Sequence, residues 1–243
     1  MALAERPVVS LQPFVQAGGR FVSIQVQQLR TPATAAEYEI IYDVANVSAI
    51  SASGAKLAVP ANEREGGQQA FMGELSLDTL PTKTNNRFGT CSAGGACINH
   101  EVKQGLLVIN FNAEPAYGIS SPWYYFQTGS QEITIDDLEL SLVSATFKNS
   151  NDFLLMQAMG LPTGLNGEVI SLPDIESKDN GTRPFAWQIK FANPVQLDTM
   201  KVVLPPAHQQ AILHVYDGKN WSAVNDLTAV PLADGYFYAL VSQ

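Results

Sequence analysis

Between Trp187 and Trp221 apolar side chains recur at alternate positions in three short runs, Trp187–Phe191, Met200–Leu204 and Ala211–Tyr216. Asn193-Pro194 separates the first run from the second, and Pro205-Pro206 separates the second from the third. Asp217-Gly218 then turns the chain toward Trp221 as a hairpin would. A two-residue period bounded by turn residues predicts antiparallel strands with one face buried. That pattern sets the class for the whole chain.

The same period recurs upstream. It predicts strands over residues 21–29, over Glu37–Tyr42 with 44–50 as a continuation, over 70–77, and over Gly105–Asn112. Residues 55–60 read as a brief edge strand inside a loop spanning 51–69, and residues 1–12 as a loose lead-in. Glu132–Val143 reads as one strand, because Ile, Thr and Val favour the extended chain over a helix. Residues 153–159 fit either a strand or a helical turn, and 235–241 is the last strand. The turn-rich stretch 149–167 places a boundary near residue 148. The expectation is an all-β protein of two antiparallel β-sandwich modules, jelly-roll or Ig-like, over residues 1–148 and 149–243.

Composition narrows the partners. Hydrophobic residues make up 46% of the 243 and charged residues only 15%, with a net charge of −9. Residues 1–150 carry 14 acidic and 9 basic side chains and residues 151–243 carry 9 and 5, so neither half offers a basic face for nucleic acid or anionic lipid. No apolar run approaches the roughly 18 residues of a membrane helix, which argues against membrane insertion. Cys91 and Cys97 are the only cysteines, and the five small residues between them let the chain double back. A local disulfide formed in an oxidising compartment accounts for this better than two unrelated thiols. The weakly charged surface agrees with a secreted or cell-surface protein, whose leader would lie outside this chain.

Two stretches resemble known modules. Ala17–Leu29 followed by Glu37–Ser51, with its Tyr42-Asp43, is similar to the opening of cohesin-type modules over residues 13–52; that resemblance implies a jelly-roll sandwich. Over residues 185–222, Trp187, Asn193-Pro194-Val195, Val202–Leu204, Tyr216-Asp217-Gly218 and Trp221 follow the order seen in discoidin-type, galactose-binding-like modules. This second resemblance also implies a β-sandwich.

Catalytic signatures are missing from the sequence: no nucleophile elbow, no His-Glu-x-x-His and no phosphate loop occurs. His100, His208 and His214 stand far apart, with His214 read as a rim residue and His100 as part of a solvated turn. Asp136, Asp137 and Glu139 are the densest carboxylates, but neighbours on a strand point to opposite faces. Asp174, Glu176, Asp179 and Asn180 supply hard oxygen donors for Ca2+, the one cofactor to consider. The intruding Lys178 favours a plain solvated loop there instead. Trp123 and Tyr124 form one aromatic candidate site, and Tyr216, Asp217 and Trp221 another, since aromatic faces stack on sugars as readily as they fill cores. Alternation requires Trp123 and Tyr124 to face opposite ways. Glycosylation sequons stand at Asn46, Asn180 and Asn220.

The function expected is non-catalytic binding or adhesion, to a glycan or a surface protein. A structural subunit of a surface layer or appendage, with self-association, is the alternative. Accessory modules of a glycoside hydrolase come third.

Overall fold

The computed structural model describes residues 5–50, 56–57, 67–127, 129–149, 152–173 and 182–242. Strands dominate it. In chain order come β1 (Val8–Gln16), β2 (Gly19–Gln28), β3 (Ala35–Ile50), β4 (Lys56–Leu57) and β5 (Gln68–Ser76), then the short β6 (Thr82–Lys83), β7 (Asn86–Arg87) and β8 (Gly89–Cys91). The long β9 (Cys97–Phe111) and β10 (Tyr117–Phe126) follow, with β11 (Glu132–Ile135), β12 (Leu140–Val143) and the short helix α1 (Ala145–Asn149) after them. The remainder are β13 (Phe153–Gln157), β14 (Ser171–Pro173), β15 (Thr182–Pro184), β16 (Ala186–Phe191), β17 (Asp198–Val203), β18 (Ile212–Tyr216), β19 (Trp221–Val224), β20 (Val230–Leu232) and β21 (Phe237–Val241). No helix among the described residues is long and apolar enough to cross a membrane.

The all-β class follows the two-residue period, with local departures. Residues 8–16 are not a lead-in: they form β1, which buries Val9 and Leu11 against β2. Glu132–Val143 is a hairpin rather than one strand. A 3-10 turn at Asp136–Leu138 interrupts it, and Glu139 completes the reversal at φ 47°, in the left-handed region. Residues 35–50 are one strand, bent by register shifts after Tyr42 and Val44.

An eleven-stranded antiparallel sheet forms the middle of the molecule, ordered β19-β18-β21-β16-β13-β10-β9-β3-β4, with β5 beside β3 and β8 beside β9. The β1-β2 sheet covers one face of it, and the β11-β12-β17-β20 sheet covers part of the other. Side chains of β13 alternate between the two resulting cores. Leu154 and Met156 join the first, with Val22, Ile24, Leu107 and Trp123. Phe153 and Leu155 join the second, with Leu142, Trp187, Val202 and Leu240. All five residues of β13 are therefore buried. Strand β16 is buried on both faces too, not on one: Trp187 and Ile189 enter the second core. Its polar Gln188 and Lys190 are buried as well. Gln188 Nε2 donates to Gly235 O at 3.0 Å. Burial pulls the Lys190 ammonium below its ordinary pKa, and Asp234 opposes that shift.

The boundary expected near residue 148 interrupts neither the sheet nor the cores. Strand β13 pairs with β10 on one side and β16 on the other. Leu142 and Phe147 precede the boundary but lie in the second core, while Leu154, Met156 and Met159 follow it and lie in the first. The cores stand back to back on a shared sheet.

Candidate functional site

The second covering sheet reaches only the end of β10, where Tyr124 and Phe126 pack against its core, so the outer face of β5, β3, β9 and the rest of β10 is open. Strand register turns that face into rows of side chains. Gln68 pairs with Asp43, and Gln104 pairs with Tyr124. Between the two pairs Gln104 Nε2 donates to Asp43 Oδ2 at 3.5 Å, although Asp43 itself sits in a register shift. One step along the strands lies an apolar row, Ala70, Ile41, Leu106 and Pro122, and then Met72, Glu39, Val108 and Ser120. Planar amides, a carboxylate and a tyrosine thus border a hydrophobic strip on the sheet.

Two shallow hollows flank Tyr124 and Gln104, which line both. One, of about 290 Å³, is bordered by Asp43, Gln68, Leu106 and Pro122. Gly105 borders it through its backbone; a Cβ at that position would point the other way, toward the first core, and collide with Ile41 O and the Trp123 ring. The other, of about 360 Å³, lies where the β11 hairpin overhangs the sheet and is bordered by Glu101, Lys103, Gln127, Thr134 and Asp136. Glu37, Glu39, Asp43 and Glu74 give the open face an acidic character.

The residues singled out from sequence fall in different places. Tyr124 is half-buried and stands between the hollows. Trp123, its neighbour, faces the opposite way and is fully buried, stacked on Phe88 at 5.8 Å between ring centroids. It is a core residue with no face open to a ligand. Tyr216 and Trp221 are a cross-strand pair at the far end of the sheet, with ring centroids 5.3 Å apart. Both pack against a small third core, and Trp221 Nε1 donates to Pro162 O at 3.2 Å. Three strands separate β18 from β10, so at about 4.8 Å per strand the two aromatic sites lie ~19 Å apart. Asp217 is a turn residue: its Oδ1 accepts the backbone N–H groups of Asn220 at 2.8 Å and Lys219 at 2.9 Å. Those bonds, Asn220 first, hold its carboxyl below the usual carboxylate range. Asp174, Glu176, Asp179 and Asn180 lie outside the described residues. Among the described residues no group of three His, Cys, Asp or Glu is placed to hold a metal. Cys91 and Cys97 are bonded to each other and face one another across β8 and β9.

His100 is not in a solvated turn. It is 7% exposed, with Nδ1 3.0 Å from the buried Tyr42 hydroxyl. Burial pushes the Tyr42 phenol up to about 12.

Gln104, Asp43, Gln68 and the apolar row were not picked out by motif. One signal was available in the strand itself. A strand with water on one face should alternate, yet Leu106, Leu107, Val108 and Ile109 are apolar at both parities. Leu107 and Ile109 fill the first core, which leaves Leu106 and Val108 on the open side.

No family model matches the chain, and no curated protein and no solved structure matches it. The likenesses to cohesin-type and discoidin-type modules rest on the short motifs quoted above.

Proposed function

We propose that this is a non-catalytic binding protein of the cell exterior that holds a neutral polysaccharide against the open face of β3, β9 and β10. One observation carries the reading: the half-buried Tyr124 ring stands between two hollows edged by planar amides and carboxylates, beside an apolar strip. A pyranose presents apolar C–H faces and a rim of hydroxyls. An aromatic ring stacks on the former while Gln and Asp side chains bond the latter. Open hollows suit a chain of sugars lying across the sheet better than a small molecule that must be enclosed. The acidic surroundings of Glu37, Glu39, Asp43 and Glu74 disfavour uronic and sialic acids, which narrows the ligand to uncharged sugars.

The test is affinity gel electrophoresis of the whole protein through neutral polysaccharides: cellulose derivatives, xylan, mannan and soluble chitin. At least one should retard the native protein. Tyr124→Ala and Gln104→Ala should weaken retardation at least about tenfold, since loss of one stacking ring is worth roughly 1–3 kcal/mol by analogy with base stacking. Tyr124→Phe keeps the ring and should retain most of the binding, and Trp221→Ala should leave it unchanged. Far-ultraviolet dichroism checks that each variant is folded. Retardation by none of these polymers, or retardation lost with Trp221→Ala and kept with Tyr124→Ala, would overturn the assignment.

A further inference from the structure

Strand β5 is the end of the large sheet on the side of the open face. It runs nine residues, Gln68–Ser76, and pairs with β3 from Asp43↔Gln68 to Ala35↔Ser76 without a register shift. Among the described residues, none of its backbone groups bonds to anything beyond β3. Terminal strands are normally protected by brevity, lysine, proline or a bulge. The opposite end of the sheet has the four-residue β19, and the β1 edge carries Pro13 and is largely buried. Strand β5 has none of these devices: it holds no Lys, Arg or Pro, its one charge is Glu74, and Met72 at its centre is 77% exposed.

We infer that β5 pairs with β5 of a second copy of this chain, antiparallel, about a two-fold axis through Met72. The strand is self-complementary in that register. Met72 faces Met72 of the other copy, Phe71 faces Gly73, Ala70 faces Glu74 and Gln68 faces Ser76, so all nine residues are matched. Each Glu74 lands beside an alanine. The two carboxylates stand four residues apart, ~14 Å along the strands, which exceeds the screening length of about 8 Å at physiological salt. Within the chain Tyr38 already lies over Gly73, where a Cβ would come 2.8 Å from the Tyr38 hydroxyl. Phe71 of the second copy flanks the same glycine from the other side. Main-chain hydrogen bonds supply the affinity, as in other strand additions, and a single strand edge gives a weak dimer. The pairing joins two open faces into one and sets the two Tyr124 rings seven strand spacings apart, ~34 Å, so a long polymer would be gripped twice. It stands on the edge alone, whether or not the face binds sugar.

Sedimentation equilibrium of the whole protein, from micromolar to millimolar concentration, should show a monomer–dimer transition. Met72→Lys and Met72→Glu each place like charges face to face on the axis and should weaken the dimer about tenfold or more. An equimolar mixture of these two variants should restore it. Under mild oxidation Met72→Cys should form disulfide dimers, whereas Ala70→Cys, also exposed, should not, because only a residue on the axis meets itself. A monomer throughout would overturn the inference. A dimer indifferent to Met72→Lys, or Ala70→Cys linking as fast as Met72→Cys, would do the same. So would a monomer that takes a foreign extended peptide on β5.

Discussion

Arg20 and Asp152 form an ion pair, Nε to Oδ2 at 2.7 Å, that ties β2 in one layer to the start of β13 in the next. The Tyr125 hydroxyl donates to the same carboxylate oxygen at 3.2 Å. The Asp152 side chain is 8% exposed and that of Arg20 33%, so the carboxylate is held largely out of water by two donors. Asp152 O also accepts the Ala192 N–H at 2.8 Å, beyond the end of β16. The covering sheet and the central sheet are thus joined by more than apolar contact.

Asp152→Ala strands the Tyr125 hydroxyl and the guanidinium at once, and should cost about 3 kcal/mol by urea unfolding. Asp152→Asn keeps an acceptor without the charge and should cost about half as much. Arg20→Met should cost less again, because the partly exposed guanidinium gains less from the pair. Equal losses for all three variants would mean that packing, not charge, matters at this position.

Stability should fall steeply at alkaline pH. Burial raises the Tyr42 phenol to about 12. It raises Tyr125 and Tyr238 further, with the Asp152 carboxylate adding to the effect at Tyr125. Unfolded tyrosines ionise near pH 10. Below that pH both states keep their protons and the full stability is present. Above it the unfolded chain releases protons that the folded chain retains, so each such tyrosine removes about 1.4 kcal/mol per pH unit, for Tyr42 up to about pH 12. Absorbance at the phenolate band, followed alongside dichroism, should show the buried phenols ionising only as the protein unfolds. Tyr42→Phe should flatten the decline between pH 10 and 12. Phenols that all titrate near pH 10 in folded protein would contradict this.

Gly105→Ala should be among the most damaging single-methyl additions, costing about 2–4 kcal/mol. The new Cβ would meet the carbonyl oxygen of Ile41 as well as the Trp123 ring. Trp123→Phe in the same background should recover only part of the loss, because the backbone oxygen cannot retreat without breaking the β3–β9 pairing. Thermal denaturation of the single and double variants measures both effects.

Reduction of Cys91–Cys97 should cost about 2 kcal/mol, the loop entropy expected for so short a ring, and leave the strand content unchanged. The turn has its own bonds, Ser92 N–H to Ala96 O at 2.8 Å and Gly95 N–H to Ser92 O at 2.9 Å. A shift of a few degrees in the melting temperature with an unaltered far-ultraviolet spectrum is the expected result; loss of the spectrum would give the bridge a larger role.

Local chemistry made much of this legible in advance. Asp217-Gly218 forces the β18–β19 reversal, with Gly218 at φ 94° and the Asp217 carboxylate accepting the N–H groups of Lys219 and Asn220. The Cys91–Cys97 bridge was implied by the small residues between its ends. The opposite orientations of Trp123 and Tyr124 followed from the pleat. Residues 132–143 carry no turn signal, because Asp136-Asp137-Leu138 breaks the strand without glycine or proline, and it is Glu139 that adopts the left-handed conformation.

The amino-acid sequence by itself determined the β class, most strand positions and the parity of side chains along each strand. Only the tertiary structure decided what covers each parity. Trp187 to Phe191 alternates like a strand with one wet face yet lies between two layers, whereas Leu106 and Val108 belong to a run apolar at both parities yet look out from an open face. A period of two says that successive side chains part company. Which layer meets each set depends on pairings between strands far apart in the chain, and those assemble two cores on one sheet, with Tyr124 at the margin of the covered region.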